Sequence, residues 1–415
     1  MSREERVVDS GASAVTLENI RIAERRIRDN ILFSPCCHSV DLSEMTGQQV
    51  YVKLDNLQRT GAFKERGALN KILTLTEEEK RRGVIAASAG NHGQAVAYHA
   101  TQRGIRAQIV MPMATPLVKI DATQRFGARI VLHGANYDEA YAEALRRCEA
   151  EGLTFLHPFN DPAVICGQGS IGLEILEQVP GLEAVVVPVG GGGLISGVAC
   201  AIKETNSKIR VIGVQTERLP SMLRAEEAGE PVTIPANVTI ADGIAVRRAG
   251  DITLPLVERY VDELVVVDEE EIANAILVLL EKEKTLAEGA GAVALAALLN
   301  KRTTLGNQKT AVLVCGGNID VSLLAKIIER GLIKDGRQVR IRVRLPDRPG
   351  ALHGLTKILL DQQANIIETV HNRSGAGISL GDTAIDISLE TRGKEHVAAL
   401  SHALDEAQYK HERID

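Results

Sequence analysis

The 415 residues carry a formal net charge of −6 with 45% hydrophobic and 25% charged side chains, the balance of a globular chain long enough for two or three domains. No basic stripe or acidic tail is present, Trp is absent and aromatics are only 3%, which argues against nucleic acid as a partner. No apolar run approaches the ~20 residues of a membrane span, and the charged start Met1-Ser2-Arg3-Glu4-Glu5-Arg6 has no apolar signal core, so a cytoplasmic protein is expected.

From about Val50 to about Arg330, strand and helix signals alternate. Val84–Ala87, Ala107–Met111, Ile130–Leu132, Val211–Val214 and Ala311–Val314 read as short β-branched or apolar strands. Between them, periodicity predicts helices over 94–104, 115–126 and 138–151. This order implies parallel strands with crossover helices, and the continuous apolarity of the strands implies sheets covered on both faces. Six scattered cysteines (Cys36, Cys37, Cys148, Cys166, Cys200 and Cys315) form no C-x-x-C pair, so reduced thiols are expected.

The pattern changes at Gly331-Leu332-Ile333-Lys334-Asp335-Gly336, a polar, glycine-bounded stretch that reads as a linker. Beyond it, Val339–Leu345 alternates charged and apolar residues at period two, as a half-exposed antiparallel strand does. A turn at 346–350, a helix over 351–362, strands over 366–370 and 382–390, a helix over 394–407 and a short last strand within 409–414 complete a ferredoxin-like α+β plan.

Three segments carry chemistry. Gly190-Gly191-Gly192-Gly193 follows the apolar run Ala184–Val189 and opens onto Leu194-Ile195-Ser196-Gly197, which reads as a helix. A strand, a glycine turn and a helix N-terminus together present backbone N–H groups to a phosphate. The spacing matches neither a Walker loop nor a dinucleotide fingerprint, so a small phosphorylated cofactor is the reading, with a merely tight turn as the alternative. Lys64, in Thr60-Gly61-Ala62-Phe63-Lys64-Glu65-Arg66-Gly67-Ala68, reads by default as a solvated cation; buried beside a phosphate cradle, its amine can form a Schiff base with an aldehyde cofactor. Ser88-Ala89-Gly90-Asn91-His92 lies between the strand Val84–Ala87 and the helix predicted from Gln94.

These segments resemble motifs of the tryptophan-synthase-β (fold type II) family of pyridoxal-phosphate enzymes, in its threonine/serine dehydratase branch. Thr60–Ala68 is similar to the lysine motif, Ser88–Gln94 to the substrate-carboxylate loop, Gly190–Gly193 to the phosphate loop and Cys315-Gly316-Gly317-Asn318 to the segment facing the pyridine nitrogen. The resemblance implies a catalytic domain over 1–333 built of two parallel-sheet subdomains. In it, Lys64 carries pyridoxal phosphate and removes the Cα proton, with Phe63 beside it. Asn91 bonds the ring hydroxyl, and the phosphate sits on Gly190, Gly191, Gly192, Gly193 and the Leu194 amide. Cys315 faces the pyridine nitrogen as a weak, uncharged donor. Ser88, Ala89, Gly90, Asn91 and His92 bind the substrate carboxylate, with His92 as an acid or base set against a merely structural histidine. Glu288-Gly289-Ala290-Gly291-Ala292 resembles another family segment, and no chemical step is assigned to Glu288.

Residues 338–415 resemble an ACT regulatory domain, with Asp347–Leu352 as its ligand turn. This implies an amino-acid effector near Gly350, Ala351, Leu352, Asn365 and Ile366, between two such domains of a homo-oligomer (dimer or tetramer). The implied activity is deamination of L-threonine, with L-serine as a second substrate. Two departures refine it: serine racemases of the family carry a serine where Ala89 stands, and Gln215 and Ser221 replace the acidic pair that holds a divalent cation in relatives, so no metal is expected and a carbonyl-held monovalent cation stays open. The alternatives are a serine racemase or serine-preferring dehydratase, a β-replacement synthase, and a non-catalytic amino-acid sensor. The pair Cys36-Cys37 has no account.

Overall fold

Strands made of small and β-branched apolar residues call for cover on both faces, and Val84–Ala87, Ala107–Met111 and Ala184–Pro188 have it, whereas Arg129–Leu132 at a sheet edge stays partly exposed. In a computed structural model, which describes residues 11–373 and 379–415, the chain divides into two compact units, Met1–Ile319 and Asp320–Asp415. The charged start Met1–Arg6 lies outside the described residues. Among the described residues, no helix is long and apolar enough to cross a membrane.

The first unit holds two sheets. Numbered in chain order, its strands are β1 (Cys36–His38), β2 (Gln49–Leu54), β3 (Val84–Ala87), β4 (Ala107–Met111), β5 (Arg129–Leu132), β6 (Thr154–Phe155), β7 (Ala184–Pro188), β8 (Arg210–Thr216), β9 (Glu263–Val267) and β10 (Lys309–Val314). The larger sheet runs β1-β2-β10-β7-β8-β9 and the smaller β5-β4-β3-β6. All neighbours are parallel except β1, which pairs antiparallel with β2 through Cys36↔Lys53 and Cys37↔Val52. The cysteine pair therefore belongs to a short edge strand, with Cys37 exposed. Every residue of β3, β4 and β7 is buried. The helix Gly289–Leu299 is apolar all round, and all but its last residue is buried, as a helix sunk in a core must be.

The helix Lys64–Leu73 is joined to its surroundings by charge. Arg66, fully buried, donates through Nε and Nη2 to Asp55 at 2.8 and 2.7 Å and through Nη1 to Glu174 at 2.5 Å. Lys53 Nζ reaches the same Glu174 at 2.5 Å. Burial pushes the Asp55 carboxyl up, but the Arg66 guanidinium outweighs it and holds the group below its usual range. Two cations and two carboxylates thus tie β2, the lysine-bearing helix and the helix Pro162–Gln178 together.

The second unit opens with the helix Val321–Lys334, N-capped by Asp320, whose carboxylate accepts from Ser322 N at 2.7 Å. The stretch 331–336, expected as a linker, is helical through Lys334. Leu324, Ile327 and Ile328 continue a helical apolar stripe, and one interior glycine, Gly331, costs only about 1 kcal/mol relative to Ala. The chain turns at Gly336, in the left-handed region at φ 68°, where Gly336 N and Arg337 N bond back to Ile333 O and Leu332 O in a Schellman motif. Four strands follow: β11 (Gln338–Pro346), β12 (Asn365–Asn372), β13 (Asp382–Glu390) and β14 (Lys410–Arg413). They form one antiparallel sheet in the order β12-β13-β11-β14, with helices Ala351–Asp361 and Lys394–Glu406 between them, the ferredoxin-like topology. Val339, Ile341, Val343 and Leu345 of β11 pack with Leu355, Leu359, Leu400 and Leu404 in this unit's own core.

Removing one partner of a fully buried ion pair strands the other charge. Asp55→Ala is expected to lower unfolding free energy by about 3–5 kcal/mol, read as a reduced denaturation midpoint. An unchanged midpoint would show the Arg66 cluster to be energetically idle.

Candidate active site

The carboxyl ends of parallel strands from both sheets supply the site. β10 runs into Cys315, whose carbonyl accepts from Phe63 N at 2.9 Å, and Ala62 bridges Gly316. This fixes the start of the lysine helix against the end of β10. Lys64, its first residue, donates to Pro158 O at 2.9 Å, in the segment following β6, and its ammonium lies 5.1 Å from the Phe63 ring centroid. Burial drives the Lys64 amine down to about 8, against smaller opposing effects of Cys315 and Glu288.

The next residue, Phe159, covers the glycine turn. A Cβ on Gly191 would stand 2.5 Å from the Phe159 ring, and Gly192 adopts φ 95° with Met222 and Thr253 crowding its Cβ position. The turn is therefore tight, as one reading of the sequence had it, but its polarity is also set. Thr253 Oγ1 donates to Gly191 O at 2.6 Å, so the trans peptide aims the Gly192 N–H the opposite way. The helix Gly193–Thr205 begins there, with initial N–H groups that have no acceptor within the helix.

The helix predicted from Gln94 begins at Asn91, because a helix N-terminus accepts the polar and glycine residues that interrupt an apolar stripe. This places Ser88–His92 at that N-terminus, where Gly90 N donates to Ser88 Oγ at 3.2 Å. The His92 ring is buried, with Nε2 2.9 Å from Leu156 O, while Nδ1 has no partner. Burial and the nearby Lys64 push it down to about 3, so it is a neutral imidazole held by a carbonyl. Its backbone, not its ring, remains the group at the helix N-terminus.

Asn91 is held on both sides: its Nδ2 donates to Glu288 Oε1 at 2.7 Å and its Oδ1 accepts from Asn318 Nδ2 at 2.8 Å. Glu288 N in turn donates to Gly316 O. Burial pushes the Glu288 carboxyl up to about 7, aided by Asp242. Sequence reasoning gave Glu288 no chemical role, since one acidic residue before a glycine-rich helix carries no signal of the residue it faces. Cys315 is buried, its Sγ 3.6 Å from Ala290 O, and burial raises the thiol well above its ordinary range, leaving a neutral thiol. Gln215 Oε1 accepts from Met222 N and Leu223 N, capping the helix Ser221–Ala228. Among the described residues, no cluster of three or more His, Cys, Asp or Glu side chains is arranged to hold a metal ion.

The pyridoxal-phosphate-dependent enzyme family matches residues 27–317, about the extent of the first unit. The chain belongs to this family. It is 52% identical over 390 residues to the L-threonine ammonia-lyase of Thermotoga maritima, covering 94% of this chain and 97% of that one. Among solved structures, it is similar to maize serine racemase (TM-score 0.73, 36% identity, 77% of this chain and 99% of that one). It is likewise similar to the processed threonine deaminase isoform 2 of Solanum lycopersicum (TM-score 0.72, 38% identity, 75% and 86%). The residues present fit the cofactor of the family. Lys64 would offer a desolvated amine to its aldehyde, the helix N-terminus after Gly192 would offer amides to its phosphate, and Asn91 would have one N–H left for its ring oxygen.

The residues expected at an effector site divide within one copy of the second unit. Gly350, at φ 85°, Ala351 and Leu352 border a cleft of about 330 Å³ that also involves Asp347, His371 and Arg373. Asn365 and Ile366 begin β12 and pair with Glu390 and Leu389, whereas Asn372, next to that cleft, pairs with Ala384. At ~3.3 Å per residue, the two groups lie roughly 20 Å apart along the sheet.

Gly191→Ala is expected to force the Phe159 ring away and weaken pyridoxal-phosphate binding by at least about tenfold, or about 1.4 kcal/mol, measured by absorbance titration. Retained affinity would remove the turn from the binding site.

Proposed function

We infer that this chain is an L-threonine ammonia-lyase, converting L-threonine to 2-oxobutyrate and ammonia with pyridoxal phosphate. The observation that carries the reading is the match to the L-threonine ammonia-lyase of Thermotoga maritima over nearly the full length of both chains. When bound, the cofactor withdraws electrons from the substrate's Cα and so makes its proton removable. Lys64 would hold the cofactor through its aldehyde and, once displaced by substrate, accept that proton. With its amine lowered to about 8, roughly one molecule in ten is neutral at pH 7, far more than for an ordinary lysine. The Ser88–His92 loop orients the substrate carboxylate at the N-terminus of the helix Asn91–Thr101. Cys315, a neutral thiol, would bring no charge to the pyridine nitrogen, which favours elimination of the β-hydroxyl. Ala89 carries no acidic proton for the face of Cα opposite Lys64, which supports elimination over racemisation.

Incubation with L-threonine or L-serine is expected to release 2-oxobutyrate or pyruvate with ammonia and no D-amino acid. Lys64→Ala should cut turnover by about 10²–10⁴-fold or more. Product formation by the folded Lys64→Ala protein at the parent rate, or a D-enantiomer as main product, would overturn the assignment.

The second unit acts as an ACT module that binds an amino-acid effector. Because Gly350–Leu352 and Asn365–Ile366 stand at opposite ends of one sheet, a site using both groups takes them from two copies of the chain, consistent with an exposed β12 edge and a homo-oligomer. Isoleucine or valine is expected to shift activity or assembly state, and Gly350→Trp to abolish the shift. No response to any small amino acid would leave the unit as a dimerisation element.

A further inference from the structure

Glu288 occupies the N-cap position of the helix Gly289–Leu299, yet its carboxylate does not cap that helix. It crosses instead to the N-terminus of another helix and accepts from Asn91 Nδ2 at 2.7 Å. Room for it is built in: a Cβ on Gly316 would stand 2.4 Å from Glu288 Oε1, and one on Gly243 would stand 3.1 Å from it. On the other side, Asn318 Nδ2 donates to Asn91 Oδ1 at 2.8 Å and to Thr60 O at 2.7 Å, close to the lysine segment. An amide side chain has one oxygen and two N–H donors, and a carboxylate only accepts. With Asn318 donating to the oxygen and Glu288 taking one N–H, the Asn91 amide has a single favourable orientation and one N–H to spare. The flipped amide would set oxygen against carboxylate and N–H against N–H.

We propose that Glu288 is a positioning residue for the reaction: as a carboxylate it locks the Asn91 amide so that the spare N–H serves the ring oxygen of the cofactor, and on protonation the lock is lost. The inference deepens the cofactor reading and rests on it. A protonated carboxyl can donate as well as accept, so it no longer dictates which end of the amide it meets. The groups facing Glu288 come from several elements. Burial pushes it up to about 7 and Asp242 adds to this, while Asn91, Lys119 of the helix Leu117–Gln124 and the Asn318 backbone pull it back. Lys119 and Asp242 are themselves paired at 2.5 Å. Lys64 and Cys315 border the same space, and Glu288 acts on both.

The test uses purified holoenzyme, the parent beside Glu288→Gln and Glu288→Ala. Two quantities are followed across about pH 6–9: the visible absorption of the bound cofactor and the dissociation constant of pyridoxal phosphate. The parent band is expected to change by a one-proton step near neutral pH. Glu288→Gln should lose that step, and Glu288→Ala should lose it and bind the cofactor at least tenfold more weakly. If Glu288→Ala does not fold, the isosteric Gln variant decides alone. A parent that takes up no pyridoxal phosphate overturns the cofactor reading and this inference with it. A coloured parent whose Gln variant keeps the same step, or whose folded Ala variant keeps full affinity, overturns the positioning role alone.

Discussion

A buried amine whose acceptor is a carbonyl is the constraint around which the first unit is arranged. Lys64 donates a hydrogen bond to Pro158 O, and burial lowers the proton affinity of its amine. The neighbouring buried cations are treated differently: Arg66 is bound by Asp55 and Glu174, and Lys53 by Glu174. Those charges are neutralised in place and stiffen the scaffold, while the amine two residues before Arg66 is left reactive. A carboxylate at hydrogen-bond distance from Lys64 would raise its pKa and hold it protonated, so the separation of paired and unpaired cations within one short segment has a chemical purpose.

The site draws on both sheets because each contributes only part of it. β10 and β7 of the larger sheet end at Cys315 and the glycine turn; β3 and β6 of the smaller one lead to Ser88–His92 and to Pro158-Phe159. Phe159 covers the glycines while the carbonyl before it binds Lys64, so one short segment spans amine and cradle. Two ion pairs, Lys119–Asp242 and Arg247–Asp138, each at 2.7 Å or less, join helices of the smaller sheet to the segment 242–247. Being largely exposed, each contributes little energy.

Much of this is legible in the amino-acid sequence. The tetraglycine run after an apolar strand, the lysine segment and the shift to period-two alternation beyond residue 338 each have a local cause: backbone freedom, side-chain chemistry and strand pleat. The misplaced boundaries share a cause too. The start of the helix at Asn91 and the helical run through Gly331 lie where polar or glycine residues interrupt an apolar stripe, and packing overrides weak propensity there.

The sequence by itself determined the fold class and the two kinds of sheet, because these follow from periodicity, while the role proposed for Lys64 came from the resemblance of its segment to a family motif. Only the tertiary structure decided that Glu288 meets Asn91 across 197 residues of chain. It alone also left the His92 ring a neutral, carbonyl-bound group and parted the two halves of the expected effector site along one sheet. Hydrogen-bond partners and desolvation depend on which distant segments are brought together, and no local pattern of residues encodes that.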